Sequence, residues 1–272
     1  MPDVSVLRVS TRDAIGTVTL NRPDARNAMN AAFFDELPEA ITRLDDDDSV
    51  RVVILRGAGP AFTAGLDLRE MAPAVLQGGN GSPVQQRQAL YGLIQHMQAA
   101  MTAVATCAKP VIAQIHGPCI GGGVDLATAC DIRLAAADAV FSVRETKLAM
   151  VADLGTLQRL QHILPQGHIA ELVYTGGDID ADRAAQIGLV NHVFADPDAL
   201  DAAARDMAAT IAANSPLAVQ GAKHVLRKSR LQSTREGLDY VALWNAAFLR
   251  SEDLHEAMQA FQERRAPQFK GA

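Results

Sequence analysis

The chain is predicted to be an α/β protein with a helical C-terminal region, on three observations. Strand-like segments followed by helix-like ones recur through the first two-thirds. From Ile169 onward the apolar residues fall almost entirely at helical spacing. The 272 residues are 49% hydrophobic but only 4% aromatic, and alanine, which suits closely packed helices, fills much of the apolar share.

Taken in order, Val4 to Val9 and Ile15 to Leu20 alternate apolar and polar residues about Arg12-Asp13 and read as a β-hairpin. Phe33, Phe34, Leu37, Ile41 and Leu44 repeat at helical spacing over Asn30 to Leu44, and the acidic run Asp45 to Asp48 reads as a solvated turn. Val52 to Leu55 is a short buried strand. Gln77 to Pro83 is rich in Gly, Asn and Ser and is expected to be mobile. A long amphipathic helix, Val84 to Ala105, leads to a strand at Pro110 to Ile115. A helix at Val124 to Cys130, a strand at Ile132 to Ala135 and a helix at Gly155 to Leu164 follow. Then come helices at Ile169 to Tyr174 and Ala181 to Gln186, a strand at Leu189 to Phe194, and helices near Leu200 to Ala213, Pro216 to Lys228, Ser233 to Arg250 and Asp253 to Arg264. This divides the chain into a core, residues 1–197, and a helical region, 198–272. Helices in such a tail must bury an apolar face, so a homo-oligomer is expected.

Composition narrows the function. The net charge of −6, with no clustered Lys/Arg face, argues against a nucleic-acid partner. Three cysteines lack both metal-knuckle spacing and an even disulfide framework, and seven histidines lack ligand spacing, so no metal is expected. No segment reaches the roughly 18 apolar residues of a membrane helix. With no apolar signal-like N-terminus and no terminal Ser-Lys-Leu, the expected location is cytoplasmic.

The most informative stretch is Gly121-Gly122-Gly123, between a strand and a helix, followed by acids at Asp125, Glu145 and Asp153. Glycines there open backbone N–H groups to a ligand at a helix start. The loop Ala64-Gly65-Leu66-Asp67-Leu68 is apolar and small where a surface loop would be polar, which suggests backbone used for binding. Paired N–H donors stabilise an enolate, and carboxylates in an apolar pocket serve as acid and base. Each acid also has a plain reading: Asp125 complementing its helix, Glu145 pairing with Arg144 or Lys147, Asp153 capping the next helix.

These segments, with Asn21-Arg22-Pro23, Asn27-Ala28, Ala61 to Asp67, Lys109 to Ala113, His116-Gly117, Cys130 to Arg133 and Gly155 to Leu160, resemble the crotonase (enoyl-CoA hydratase/isomerase) superfamily. The resemblance implies a spiral of ββα units with a helical C-terminal oligomerisation region forming trimers or hexamers. It implies an acyl-CoA thioester as substrate and no separate cofactor, since CoA arrives with the substrate. The N–H groups of Leu66 and Gly122 would form the oxyanion hole. The 64–68 loop would line the acyl-CoA site, and Arg26, with Phe269 and Lys270 of a neighbouring chain, would lie near the CoA nucleotide.

Within the family, Asp125, Glu145 twenty residues on and Asp153 eight further on are similar to the Δ3,5-Δ2,4-dienoyl-CoA isomerase branch, as are Ser215 to Lys223 and Leu238 to Asn245. That likeness implies an isomerase of fatty-acid β-oxidation type. Asp153 would be base at the α carbon and Glu145 acid at the far end of the dienolate, or the reverse, with Asp125 hydrogen-bonding in the pocket. The rivals are an enoyl-CoA hydratase, with Asp125 and Glu145 activating water, and a non-catalytic acyl-CoA- or RNA-binding relative.

Overall fold

The computed structural model describes residues 5–76, 81–230 and 232–272. The hairpin forms from β1 (Leu7–Arg12) and β2 (Ile15–Leu20), turning on Asp13 and Ala14 at φ 51° and 62°. Two adjacent positive φ values are what a two-residue turn matching strand twist requires. The first strand is therefore displaced from the expected Val4 to Val9. Next come α1 (Ala31–Asp45), β3 (Val52–Gly57), α2 (Leu68–Leu76) and α3 (Pro83–Thr106). Asn30 caps α1 through its side chain, and Ser82 with Gln85 forms a capping box on α3. Of the stretch expected to be mobile, residues 77–80 lie outside the described residues, and Ser82 and Pro83 open α3.

The central part runs β4 (Val111–Ile115), β5 (Pro118–Ile120), α4 (Gly122–Ala129), β6 (Ile132–Ala136), β7 (Val140–Ser142), α5 (Thr156–Leu160), α6 (Gln166–Thr175), β8 (Ile179–Asp180), α7 (Ala181–Ile187) and β9 (His192–Phe194). The tail is α8 (Pro197–Ala212), α9 (Pro216–Ser229), α10 (Thr234–Phe248) and α11 (Glu252–Glu263). Strands lie in the order β1-β2-β3-β4-β6-β9, antiparallel only between β1 and β2, and β5-β7-β8 form a second, smaller sheet. Thus β4 and β5, then β6 and β7, divide between the two sheets before the chain turns into a helix. This is the ββα spiral.

Strands β3 and β4 are almost wholly buried, as parallel strands covered on both faces must be. One side packs against α1, α3 and α4 through Phe34, Leu37, Met101 and Leu126. The other is covered by α8, whose Leu200, Ala204, Ala208 and Ala212 repeat every four residues against Ile54, Ile112 and Leu134. The core therefore includes α8, and α9 to α11 project beyond it with Leu226, Leu238, Leu243, Phe248, Leu249 and Phe261 exposed. Among the described residues no helix is long and apolar enough to cross a membrane.

The acidic run is not simply a solvated turn. The Asp45 carboxylate accepts from the Ala108 N–H, and the carbonyls of Leu44 and Asp47 accept from buried Lys109 Nζ at 2.7 and 2.5 Å. A buried ammonium needs such acceptors, and the turn supplies them.

Candidate active site

From Phe62 to Asp67 the loop is held at every N–H but one. Phe62 donates to His116 O, Thr63 to Pro118 O, Ala64 to Arg26 O, Gly65 to Thr63 Oγ1, and Asp67 to Met29 O. The Leu66 N–H alone, between Phe62 and Asp67, has no acceptor. Met29 N–H donates to Gly65 O, so the Met29 strand segment occupies the carbonyl before Leu66 and the amide after it, turning the Leu66 N–H the other way. His116 Nε2 lies 2.8 Å from Gly59 O and steadies the approach to this loop.

The glycine run sits directly across from it. Gly121 N–H donates to Ser142 O, whereas Gly122 N–H, at the start of α4, has no acceptor, as expected of an orphan helix-terminal donor. The approach is too close for side chains. A Cβ on Gly65 would lie 2.4 Å from Ile120 O and 3.3 Å from Gly122 N, and one on Gly122 would lie 3.7 Å from Leu66 N. Gly65 also has φ +85° and Gly121 φ +53°. Two unpaired N–H groups therefore face one space.

Asn27 braces the first of these loops. It is buried, with φ 54°; its Oδ1 accepts from Arg22 N–H at 2.9 Å and its Nδ2 donates to Ala58 O and Ala61 O, each at 2.8 Å. Asn27→Ala is expected to destabilise the fold by about 2–4 kcal/mol, because buried carbonyls lose their donors. Urea denaturation should show a lower midpoint at an unchanged slope.

That space is a cavity of about 380 Å³ lined by Leu66, Gly122, Asp125, Glu145 and Asp153, with apolar walls from Met29, Phe34, Leu90, Ile94, Met97 and Met150. The structure thus brings together all three acids and both unpaired donors. A larger cavity of about 490 Å³ lies among α9 to α11, but its one acid, Asp253, is taken up by Ser215 Oγ and the N–H groups of Lys270 and Gly271. It has no group free for proton transfer.

The three carboxyl groups differ by environment. Asp125 is buried on the first turn of α4, and burial pushes its pKa up to about 6, although hydrogen bonds from Thr156 and the Arg159 charge pull it down. Its Oδ1 accepts from Thr156 N–H at 2.6 Å. Glu145 is pushed up to about 7, first by burial and then by the charges of Asp125 and Asp153, and its Oε2 is buried with no hydrogen-bond partner. Asp153 stands at the rim, exposed, with its pKa raised by partial burial. The plain readings fail for two of them. Arg144 pairs with Asp178 rather than Glu145, and Gly155, not Asp153, occupies the N-cap of α5.

Other expected residues lie elsewhere. Ala64 and Gly65 frame the loop, but the Asp67 carboxylate accepts from Arg22 Nη1 and from the N–H groups of Arg69 and Glu70, and Leu68 opens α2 with its side chain half exposed. Arg26 is exposed, in left-handed conformation, beside the Ala64 N–H that its carbonyl accepts. In its own chain the C-terminus is pinned away from the cavity: Phe269 O accepts from Arg51 Nη2 at 2.6 Å, and Lys270 N–H donates to Asp253 Oδ1. The apolar wall was not singled out from the sequence. Leu90, Ile94 and Met97 read only as the buried stripe of a helix, which is also how a pocket-lining stripe reads.

A two-sheet spiral with two opposed free N–H groups over a carboxyl-lined apolar cavity has the parts that proton transfer on a carbonyl compound requires. The family model "Enoyl-CoA hydratase/isomerase" matches residues 10–272, and the chain belongs to that family. It is 46% identical over 98% of its length to the mitochondrial Δ3,5-Δ2,4-dienoyl-CoA isomerase of Dictyostelium discoideum, covering 92% of that protein. It is 45% identical over 98% of its length to the peroxisomal enzyme of the same name from Arabidopsis thaliana, covering 96% of it. Among solved structures, the enoyl-CoA hydratase of Bacillus anthracis superposes with a TM-score of 0.89 at 33% identity, over 98% of this chain and 100% of that one. The relatives' names overturn the expected cytoplasmic location. Free thiols point to a reducing compartment but do not discriminate between one such compartment and another.

Proposed function

We propose that this protein is a Δ3,5-Δ2,4-dienoyl-CoA isomerase. The names of its relatives support that reading, and the observation that carries it is the difference between Glu145 and Asp153 within one cavity. Converting a 3,5-diene to a 2,4-diene removes a proton from the α carbon and delivers one to the ε carbon. Asp153, the more exposed carboxylate, takes the α proton, and its C–H electron pair spreads into a dienolate whose oxygen is held by Leu66 N–H and Gly122 N–H. Glu145, whose buried and unpartnered oxygen favours the neutral acid, gives its proton to the ε carbon. Asp125 accepts from Thr156 and shares the pocket's charge. No electrons leave the substrate, so the reaction needs no cofactor beyond the CoA it carries.

The exposed apolar residues of α9 to α11 support a homo-oligomer, trimer or hexamer, in which a neighbour covers them. Arg26, and Phe269 with Lys270 across such an interface, would meet the CoA nucleotide.

Purified protein offered a 3,5-dienoyl-CoA should conjugate it, seen as new dienoyl absorbance, and should leave a 2-enoyl-CoA largely unhydrated. The converse result would establish a hydratase, the activity named for the Bacillus anthracis structure. Asp153→Asn should lower the isomerase kcat by about 10²–10⁴-fold. Undiminished turnover would remove Asp153 from the mechanism.

A further inference from the structure

We propose that Arg159 is a positioning residue for the carboxyl set, its guanidinium fixing the turn that presents Asp153. This rests on the isomerase reading for its catalytic consequence, though not for its electrostatic one. Arg159 Nη1 donates to Leu154 O at 3.0 Å, and the guanidinium lies over Gly155: a Cβ there would meet Nη1 at 2.1 Å and Cζ at 2.7 Å. Gly155 also has φ +116°. The turn therefore has a glycine both for its backbone and for the room the guanidinium takes. On the other side of Asp153, Gln98 Nε2 from α3 donates to Asp153 O at 2.6 Å. Two successive carbonyls, of Asp153 and Leu154, are thus each held by a side chain from a helix, which fixes a residue that otherwise stands exposed at the rim.

Arg159 does not line the cavity of the three acids. It lines a second one of about 400 Å³ with Lys223, Arg227 and Arg230, where the one acid, Asp131, is paired with Lys223. The charged and titratable groups that act on Arg159 are Asp125 and Cys130, which favour its charge, and Arg230, which opposes it. Those acting on Asp125 are Arg159 and Asp153; Asp125 in turn acts on Glu145 and Cys119. Asp125 thus carries the influence of Arg159 to Glu145. With the guanidinium charge present, Asp125 ionises more readily; its negative charge then helps Glu145 keep its proton.

The sign of a test follows. In Arg159→Gln the Asp125 pKa should rise further above about 6, leaving Asp125 more often neutral near pH 7 and relieving Glu145 of a negative neighbour. The Glu145 pKa then falls, so the alkaline limb of the kcat profile moves to lower pH. The looser Asp153 turn should lower kcat by about 10–100-fold with KM within about twofold. Arg159→Lys keeps the charge but not the planar fork, so it should hold the alkaline limb near the wild-type position while kcat stays reduced.

Kinetics of both variants on a 3,5-dienoyl-CoA from pH 5 to 9 would be combined with ¹³C NMR titration of the Asp125 carboxyl, which needs no substrate. An unmoved Asp125 titration in Arg159→Gln overturns the proposal, as does identical behaviour of the two variants. If the wild type fails to turn over the diene while the Asp125 titration shifts as stated, the isomerase reading falls and the placement of Arg159 stands.

Discussion

Glu145→Gln is expected to remove most isomerase activity and to leave the folded protein more stable above neutral pH. Both effects come from one observation, a carboxyl group pushed up to about 7 by burial and by two neighbouring acids, with one oxygen buried and unpartnered. An acid titrating near the working pH is suited to donate a proton to the ε carbon; an amide of the same shape cannot, and kcat should fall by about 10²–10⁴-fold. The stability effect has the opposite sign. Below the ordinary glutamate value of 4.5 both the folded and unfolded chains carry the proton, so the acid causes no deficit. As pH rises from there to about 7 the unfolded chain releases the proton and the folded chain retains it, and stability is lost. Above that the deficit is constant. At about 1.4 kcal/mol per unit the full shift sets a ceiling near 3 kcal/mol, and partial exposure reduces this to about 1–2 kcal/mol. Thermal unfolding should therefore give equal midpoints for variant and wild type near pH 4.5, and a higher midpoint for Glu145→Gln at pH 8. Equal midpoints at pH 8 would mean that the carboxyl is better solvated than its surroundings indicate.

The same site shows how far residues alone carry the reading. The loops that carry Leu66 and Gly122 were legible because backbone chemistry leaves a sequence trace, glycine and small apolar residues where a loop would otherwise be polar, while the choice of those two N–H groups came with the family resemblance. Asp125, Glu145 and Asp153 were legible from spacing only once the family resemblance was in hand, since each alone could have been a cap or an ion pair. The strands β5, β7 and β8 were missed because two or three residues are too few for alternation to register, yet β7 supplies the Ser142 carbonyl that anchors Gly121. Helix α2 was missed because Pro73 lies inside it. The roles of Asn27 and Arg159 depend on folded contacts: one bonds to carbonyls at positions 58 and 61, the other lies over a glycine four residues back and donates to the Leu154 carbonyl. Nothing local announces such partners. The tail shows the reverse case: its helical pattern called for a cover, and α9 to α11 leave large apolar side chains exposed.

Gly65→Ala is expected to damage turnover severely, for two separable reasons. At φ +85° an alanine is strained by about 1–2 kcal/mol, and its Cβ would stand 2.4 Å from Ile120 O, a contact with backbone that no rotamer change relieves. One of the two loops must move. Because a Cβ there lies 3.3 Å from Gly122 N, the movement separates the Leu66 N–H from the Gly122 N–H, and the space both face opens. If these donors hold the dienolate oxygen, losing one costs about 10²–10³-fold in kcat. The loss should appear in kcat rather than KM, since the oxygen carries its charge only along the reaction path. A control separates collapse from catalysis. Gly92, inside α3, has nothing near its Cβ position, so Gly92→Ala should leave turnover unchanged and raise stability by about 0.5–1 kcal/mol. Gly65→Ala protein that remains folded by circular dichroism yet loses turnover at an unchanged KM places the donors at the reacting oxygen. Folded Gly65→Ala protein with full turnover would show that the Leu66 and Gly122 amides are spectators, and the charge in the transition state would then have to be met elsewhere in the cavity.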